Sequence, residues 1–164
     1  MKQLRLQIRD KFLYNKAIEA LDPQGFTSDK QRNLLEYWAK ITGDRHMPSR
    51  QDLNPMDIPH LLSGIWMADV SGGKKPTFKV RLFGTDLVQA FHLEGTNLQL
   101  DQISFAKDII RRLTALIKTK QAYYYKAKFP IDSEDYNYYT TLTLPMSSDN
   151  ENVDIIISQL HFFK

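Results

Sequence analysis

Residues 77–91 constrain the fold more than any other part of the sequence. Their first half, Thr77–Phe83, carries threonine, valine and aromatic residues at a density typical of a β-strand. Gly84 then interrupts the strand, and Thr85 can cap a short helix whose apolar residues are Leu87, Val88 and Phe91. The segment therefore predicts a strand, a glycine turn and a short amphipathic helix in direct succession.

Hydrophobic periodicity predicts the other elements on either side of this segment. Pro145 predicts an edge or a strand terminus near the end of the penultimate strand. The predicted order is a helix over residues 1–21, a helix over 28–42, strands near 64–70 and 77–83, helices over 87–91 and 104–119, and strands over 122–129, 136–146 and 153–163. Two helices are therefore expected before a sheet of five strands, the last two of which form an antiparallel hairpin.

Length and composition limit the function classes. A chain of 164 residues is expected to form one domain, with or without an appendage. It contains no cysteine, which excludes disulfides, thiolate catalysis and cysteine-based zinc sites. The net charge of +3 is scattered along the chain, so it is weak support for nucleic-acid binding. Charged residues interrupt every apolar run, so we expect neither a signal peptide nor a membrane span, and a cytoplasmic location.

Several short motifs together are more specific than the order of elements. Tyr37-Trp38 lies on the second predicted helix, and Met47-Pro48-Ser49-Arg50 follows in the irregular stretch behind it. Leu61-Leu62 precedes the first strand, which ends at Asp69-Val70, and Arg81-Leu82-Phe83-Gly84-Thr85 closes the second. Over about residues 28–162 this pattern resembles a small bacterial subfamily of PAS (Per-ARNT-Sim) domains. Where the subfamily pattern carries glycines after the short helix, this sequence has His92 and Asn97.

The resemblance implies an α+β fold with a curved five-stranded antiparallel sheet. Short helices and one long helix cover its concave side, and N-terminal helices precede it. It divides the chain into an N-terminal helical dimerisation segment, residues 1–43, and a PAS-like domain, residues 44–164. It implies a non-catalytic sensory or signalling module that binds a small ligand, a partner signalling protein or both, and that forms a homodimer. The cofactor, if any, is left open.

The resemblance also implies which residues line a ligand cavity. We expect Phe83 to face it, and because strand side chains alternate, Arg81 is then expected to point inward as well. Arg81 would either clamp a carboxylate or phosphate ligand, or form an internal ion pair with Asp69, Asp86 or Glu94, or bind backbone carbonyls. The predicted ligand-binding residues are Trp66, Arg81, Phe83, Phe91 and Leu113.

Other functions rest on weaker patterns. His92 follows the short helix, where some haem-binding relatives place an axial ligand, but the four histidines have no metal-ligand spacing. Tyrosines at 123–125, 136, 138 and 139 lie near lysines and could stack on nucleic-acid bases. Strand tyrosines more often pack against the protein core, so nucleic acid is not expected as a partner.

Arg111 and Arg112 are interpreted as a solvated helix face. The remaining alternatives are a small curved-sheet enzyme acting on an anionic substrate and a purely structural dimerisation module.

Overall fold

The computed structural model describes residues 25–164. The fold class predicted from the sequence is confirmed: a five-stranded antiparallel sheet in the order β2-β1-β5-β4-β3 is flanked by helices. The helix predicted over residues 1–21 lies outside the described residues. The elements are α1 (Asp29–Thr42), β1 (Ile65–Ser71), β2 (Thr77–Phe83), α2 (Thr85–Phe91), α3 (Lys107–Thr119), β3 (Tyr123–Lys128), β4 (Tyr138–Met146) and β5 (Ile155–Phe163).

The curved sheet separates two packing layers. On its concave face, side chains such as Trp66, Tyr139 and Leu160 lie opposite α2 and α3. On its convex face, the alternate residues of the same strands, such as Thr140, contact α1. Both faces of β4 and β5 are consequently buried over most of their length, and these two strands form the centre of the core.

Helix α1 is fastened to the convex face by polar contacts as well as by its apolar stripe. The hydroxyl of Ser28 caps the helix by accepting a hydrogen bond from the backbone N–H of Lys30. Trp38, which is 2% exposed, donates from its indole nitrogen to the carbonyl of Pro145 over 2.8 Å. Gln31, fully buried, donates from Nε2 to the hydroxyl of Thr140 over 3.0 Å. The helix is therefore an integral layer of the domain.

The irregular stretch between α1 and β1 is built from short 3₁₀ turns at residues 50–52, 55–57 and 59–64. Asn54 caps the second of them, with Pro55 in its first turn. The Tyr37 hydroxyl accepts a hydrogen bond from the N–H of Asn54 over 2.9 Å, and the carbonyl of Pro48 accepts one from the N–H of Ser147. The motifs that carry the family resemblance thus tie α1, the turns and the sheet together.

Two local features refine the predictions. Helix α3 begins at Lys107, later than predicted, because tight turns at Ile103 and Ala106 occupy the preceding residues.

Pro145 lies inside β4, but β3 pairs with β4 only as far as Thr143. At Pro145 the edge of β4 that faces away from β5 is therefore unpaired. Proline has no backbone N–H to donate, and at this edge no hydrogen bond of the sheet is lost.

The loop after α2 keeps a backbone shape that usually requires glycine. His92 has a φ of 52° and Asn97 a φ of 71°, both in the left-handed region. These are the two positions at which the sequence lacks the glycines of the related pattern. The loop therefore retains its geometry at a cost in backbone strain, which is smaller for asparagine than for most residues.

Candidate functional site

A small cavity lies between the concave face of the sheet, α2 and α3. Its volume is about 40 Å³, which is room for a few water molecules. Pockets for larger organic ligands are typically about 300–1,000 Å³. Most of its wall is apolar, with polar groups at one end, and the lining residues are Trp66, Val80, Phe83, Leu87, Phe91, Leu100, Ile103, Phe105, Ala106, Ile109, Arg112, Tyr123, Pro130, Tyr139, Thr141 and Leu160.

Three of the five predicted ligand-binding residues lie in this wall: Trp66, Phe83 and Phe91. Trp66 and Phe83 are cross-strand partners, and the ring of Phe91 stacks on Phe105 with centroids 5.2 Å apart. Leu113 is completely buried in the core, and its helix contributes Ile109 and Arg112 to the wall instead. Whether the wall residues bind a ligand remains a prediction.

Arg81 does not point into the cavity, so this part of the prediction is wrong. Met67 pairs with Leu82, whereas the next residue of β1, Ala68, pairs with Val80, which makes Arg81 the extra residue of a β-bulge. The bulge reverses the alternation, so Val80 and Phe83 both line the cavity.

The bulge directs Arg81 to the opposite side of the sheet. Its Nε donates to Oδ1 of Asp69 over 2.8 Å, and the arginine side chain is 45% exposed. Of the alternatives considered from the sequence, the ion pair with Asp69 is the one that the structure shows. It is an exposed pair, and such pairs contribute little stability.

Arg112, and not Arg81, is the arginine that lies at the cavity. It is half-buried on α3 and lies at the polar end of the cavity. Its Nη2 donates to the Tyr139 hydroxyl over 3.3 Å, and its guanidinium lies 4.1 Å from the centroid of the Tyr125 ring. Arg111, by contrast, is exposed and pairs with Asp108 one turn earlier. The two adjacent arginines therefore have different environments, and the solvated-face interpretation holds only for Arg111.

Two tyrosines complete the polar end. Burial raises the pKa of Tyr123 and of Tyr139 above the usual value of 10.0, while the positive charge of Arg112 opposes this shift. Both hydroxyls consequently stay protonated at neutral pH and can donate hydrogen bonds. The hydroxyl of Thr141 lies beside them, 3.2 Å from that of Thr143. One cation and three hydroxyl groups thus face a largely apolar space.

Sequence reasoning missed Arg112, Tyr123 and Tyr139 as site residues. The tyrosines were visible as clusters on two strands, and the register of β3 and β4 places Tyr123 and Tyr139 on one face. The signal for Arg112 was weaker. Arg112 precedes Leu113, which was expected at the cavity, but helical periodicity alone does not determine which of the two adjacent arginines points inward.

A second surface adjoins the N-terminal end of the described chain on the convex face. We name it the aromatic patch, defined by Tyr124, Lys126, Tyr138, His161 and Phe163. The Lys126 ammonium lies 4.9 Å from the ring centroid of Tyr138, and the Tyr138 and Phe163 rings stack at 6.0 Å. Burial and the nearby charge of Lys30 lower the pKa of His161.

The structure gives no support to a haem or metal role for His92. That residue is exposed at the C-terminal end of α2 and does not line the cavity. Among residues 25–164, no three His, Asp or Glu side chains converge as a metal site would require. None of the described helices is long and apolar enough to cross a bilayer.

The chain has distant similarity to parts of histidine kinases whose structures are solved. Among solved structures, the PAS domain of histidine kinase ThkA is 11% identical with a TM-score of 0.43, and the match covers 58% of this chain and 97% of that one. A sensory box sensor histidine kinase from Vibrio cholerae is 11% identical with a TM-score of 0.43, covering 66% of this chain and 88% of that one. A search of curated proteins finds no match.

The family assignment comes from the sequence. A protein-family model described as a PAS domain, PAS_5, matches residues 26–156, which is most of the chain. The match begins before α1 and so includes this helix together with β1 to β4 and the first residues of β5. The chain therefore belongs to the PAS domain family.

Proposed function

We propose that this protein is a sensory module in which a small ligand in the concave cavity changes how the N-terminal region contacts a partner signalling protein. Membership of the PAS domain family supports a signalling role. The observation that carries the proposal is the cavity, which combines an apolar wall with one polar end. Such a combination suits a small molecule that needs both orientation and burial.

The central strands supply a physical route between the cavity and α1. In β4, Tyr139 and Thr141 line the cavity, while Thr140 between them receives the hydrogen bond of Gln31 from α1. A ligand that shifts β4 would therefore shift the anchor of α1. The ligand can do so only if its affinity differs between the shifted and the unshifted arrangement of β4 and α1.

The aromatic patch is the proposed contact surface for the N-terminal segment or a second copy of the chain. Phe26 packs edge-on against Tyr124 with ring centroids 5.0 Å apart, and the N–H of Thr27 donates to the Tyr124 hydroxyl over 3.1 Å. The described part of the chain therefore begins beside this patch. The division into a dimerisation segment over residues 1–43 and a sensory domain over 44–164 is part of the proposal.

Native mass spectrometry of the full chain, compared with a denaturing run, tests the proposal. We expect a small molecule that stays with the native protein and is lost on denaturation, and a native mass equal to two chains. Hydrogen exchange in α1 should then change when the ligand is removed. A protein without ligand under all purification conditions, whose α1 exchange responds to no added small molecule, would overturn the sensory mechanism.

A purely structural dimerisation module is the second candidate, favoured by one observation. The cavity of about 40 Å³ is far smaller than most ligand pockets, so the concave side is close to filled. In that case signalling would depend on the aromatic patch alone. Substituting Tyr138 and Phe163 by serine would abolish the dimer, while filling the cavity would change nothing.

A further inference from the structure

We propose that the cavity ligand is a small monocarboxylate with a short alkyl chain, held through its carboxylate by Arg112. This inference deepens the proposed function, since it names the ligand class for the same cavity. It rests on three features. Arg112 has no carboxylate partner among the described residues, hydroxyl groups surround it, and the cavity is small and largely apolar.

Arg112 has hydrogen-bond donors to spare. A guanidinium carries five N–H donors and is always charged. Among residues 25–164, the ion pairs of arginine are Arg45 with Asp52, Arg81 with Asp69 and Arg111 with Asp108, and none involves Arg112. Its Nε is buried without a hydrogen-bond partner in that part of the chain. A half-buried charge of this kind is costly unless an anion meets it.

The free donor has a geometry that suits a carboxylate. Nε and Nη2 lie on the same edge of a guanidinium, and this edge can bind both oxygens of a carboxylate. Nη2 donates to the Tyr139 hydroxyl over a long 3.3 Å, and Arg112 also hydrogen-bonds to Tyr123, so both of these partners are neutral hydroxyl groups. The acidic side chain closest along the helix, Asp108, is exposed and already paired with Arg111. No ion pair between Arg112 and a described residue would therefore compete with an incoming carboxylate.

The neighbouring hydroxyl groups add donors and no negative charge. Tyr123 and Tyr139 are neutral at physiological pH because burial disfavours their phenolates. Together with Thr141 they can donate hydrogen bonds to an oxygen atom of a bound ligand. The polar end of the cavity is thus complementary to one negative charge.

The remainder of the cavity sets the size of the ligand. Its other walls are side chains such as Phe83, Phe91 and Leu100, which cannot satisfy a second polar group. A volume of about 40 Å³ excludes large ligands. A carboxylate with two or three carbon atoms places its charge at Arg112 and its alkyl group against the apolar wall.

Calorimetric titration of the full chain with sodium propionate tests this inference. Ionic strength is held constant with sodium chloride, and propionamide serves as the neutral isostere. We expect propionate to bind at least tenfold more tightly than propionamide. Equal affinity for the two, or no detectable propionate binding, would overturn the inference. Nitrate binding as tightly as propionate would overturn the carboxylate assignment.

Adjacent arginines provide matched variants. Arg112→Gln is expected to weaken propionate binding at least tenfold, whereas Arg111→Gln leaves it within twofold of the unchanged protein. Tyr139→Phe keeps the ring and removes the hydroxyl, and it is expected to weaken binding several-fold. Should Arg112→Gln fail to fold, the Tyr139→Phe result decides: unchanged propionate affinity in that variant would contradict the proposed site.

The result is separable from that of the proposed function. A neutral molecule that co-purifies with the protein, combined with no binding of propionate, would overturn the carboxylate inference and leave the sensory proposal standing. Binding of propionate that leaves hydrogen exchange in α1 unchanged would support the site and count against the proposed signalling route.

Discussion

The two faces of the sheet are built differently although the same strands supply both. The convex face is closed by α1, whose Trp38 and Gln31 make hydrogen bonds into the sheet. The concave face retains a cavity and a half-buried arginine without a carboxylate partner among the described residues. Close packing stabilises a fold, whereas cavities and unpaired charges reduce stability. The comparison indicates that the convex face is the more closely packed one, and we propose that the concave face is the one available for function.

The strongest test of this contrast is Trp38→Ala. Trp38 is 2% exposed and bonds to the carbonyl of Pro145, so its loss should lower the free energy of unfolding by about 3–5 kcal/mol. Trp38→Phe keeps part of the packing and should cost clearly less. Urea unfolding followed by circular dichroism measures both. A loss below about 1.5 kcal/mol for Trp38→Ala would show that α1 is not a stabilising layer.

Neighbouring threonines in β4 compare the two faces directly. Thr140→Val removes one of the two acceptors of the buried Gln31 amide nitrogen and should cost about 1–3 kcal/mol. Thr141→Val removes a hydroxyl from the cavity wall, where it makes only a 3.2 Å contact with Thr143, and should change stability by less than about 0.5 kcal/mol. The same unfolding measurement applies. Equal losses for the two variants would contradict the division of roles between the faces.

A gain in stability is expected on the concave side at His92. Its φ of 52° is strained for a residue with a side chain, so His92→Gly should raise the free energy of unfolding by about 0.5–1 kcal/mol. His92→Ala is the control, because alanine keeps the strain. Thermal unfolding of the two variants separates backbone relief from loss of the imidazole. A gain in the alanine variant as large as in the glycine variant would refute the strain argument.

The smallest expected effect is a pH dependence on the convex face. Burial and Lys30 lower the pKa of His161 from 6.5, so the unfolded chain takes up this proton at a higher pH than the folded protein does. The associated stability is present above pH 6.5 and is lost as the pH falls through the folded pKa. His161→Gln should flatten this part of the stability curve in acid. An unchanged slope of urea midpoints between pH 7 and 5 would contradict the assignment.

How far the sequence predicts this molecule depends on the range of the interactions involved. Strand positions and the interruption at Gly84 follow from local periodicity and backbone preferences, and they are confirmed. The direction of Arg81 depends on pairing with β1, and that of Arg112 on how α3 docks against β3 and β4. Neither is determined by residues close in sequence, which is why the sequence alone predicts an inward Arg81 and a solvated Arg112.

Arg81 is the extra residue of the bulge in β2, so its removal would not shift the pairing of the rest of the strand. Without Arg81, Leu82 would still pair with Met67 and Phe83 with Trp66, and the alternation of side chains along β2 would become regular. When relatives are aligned, a one-residue gap at Arg81 would therefore mark the loss of the bulge and of the ion pair with Asp69, while the cavity wall would be kept.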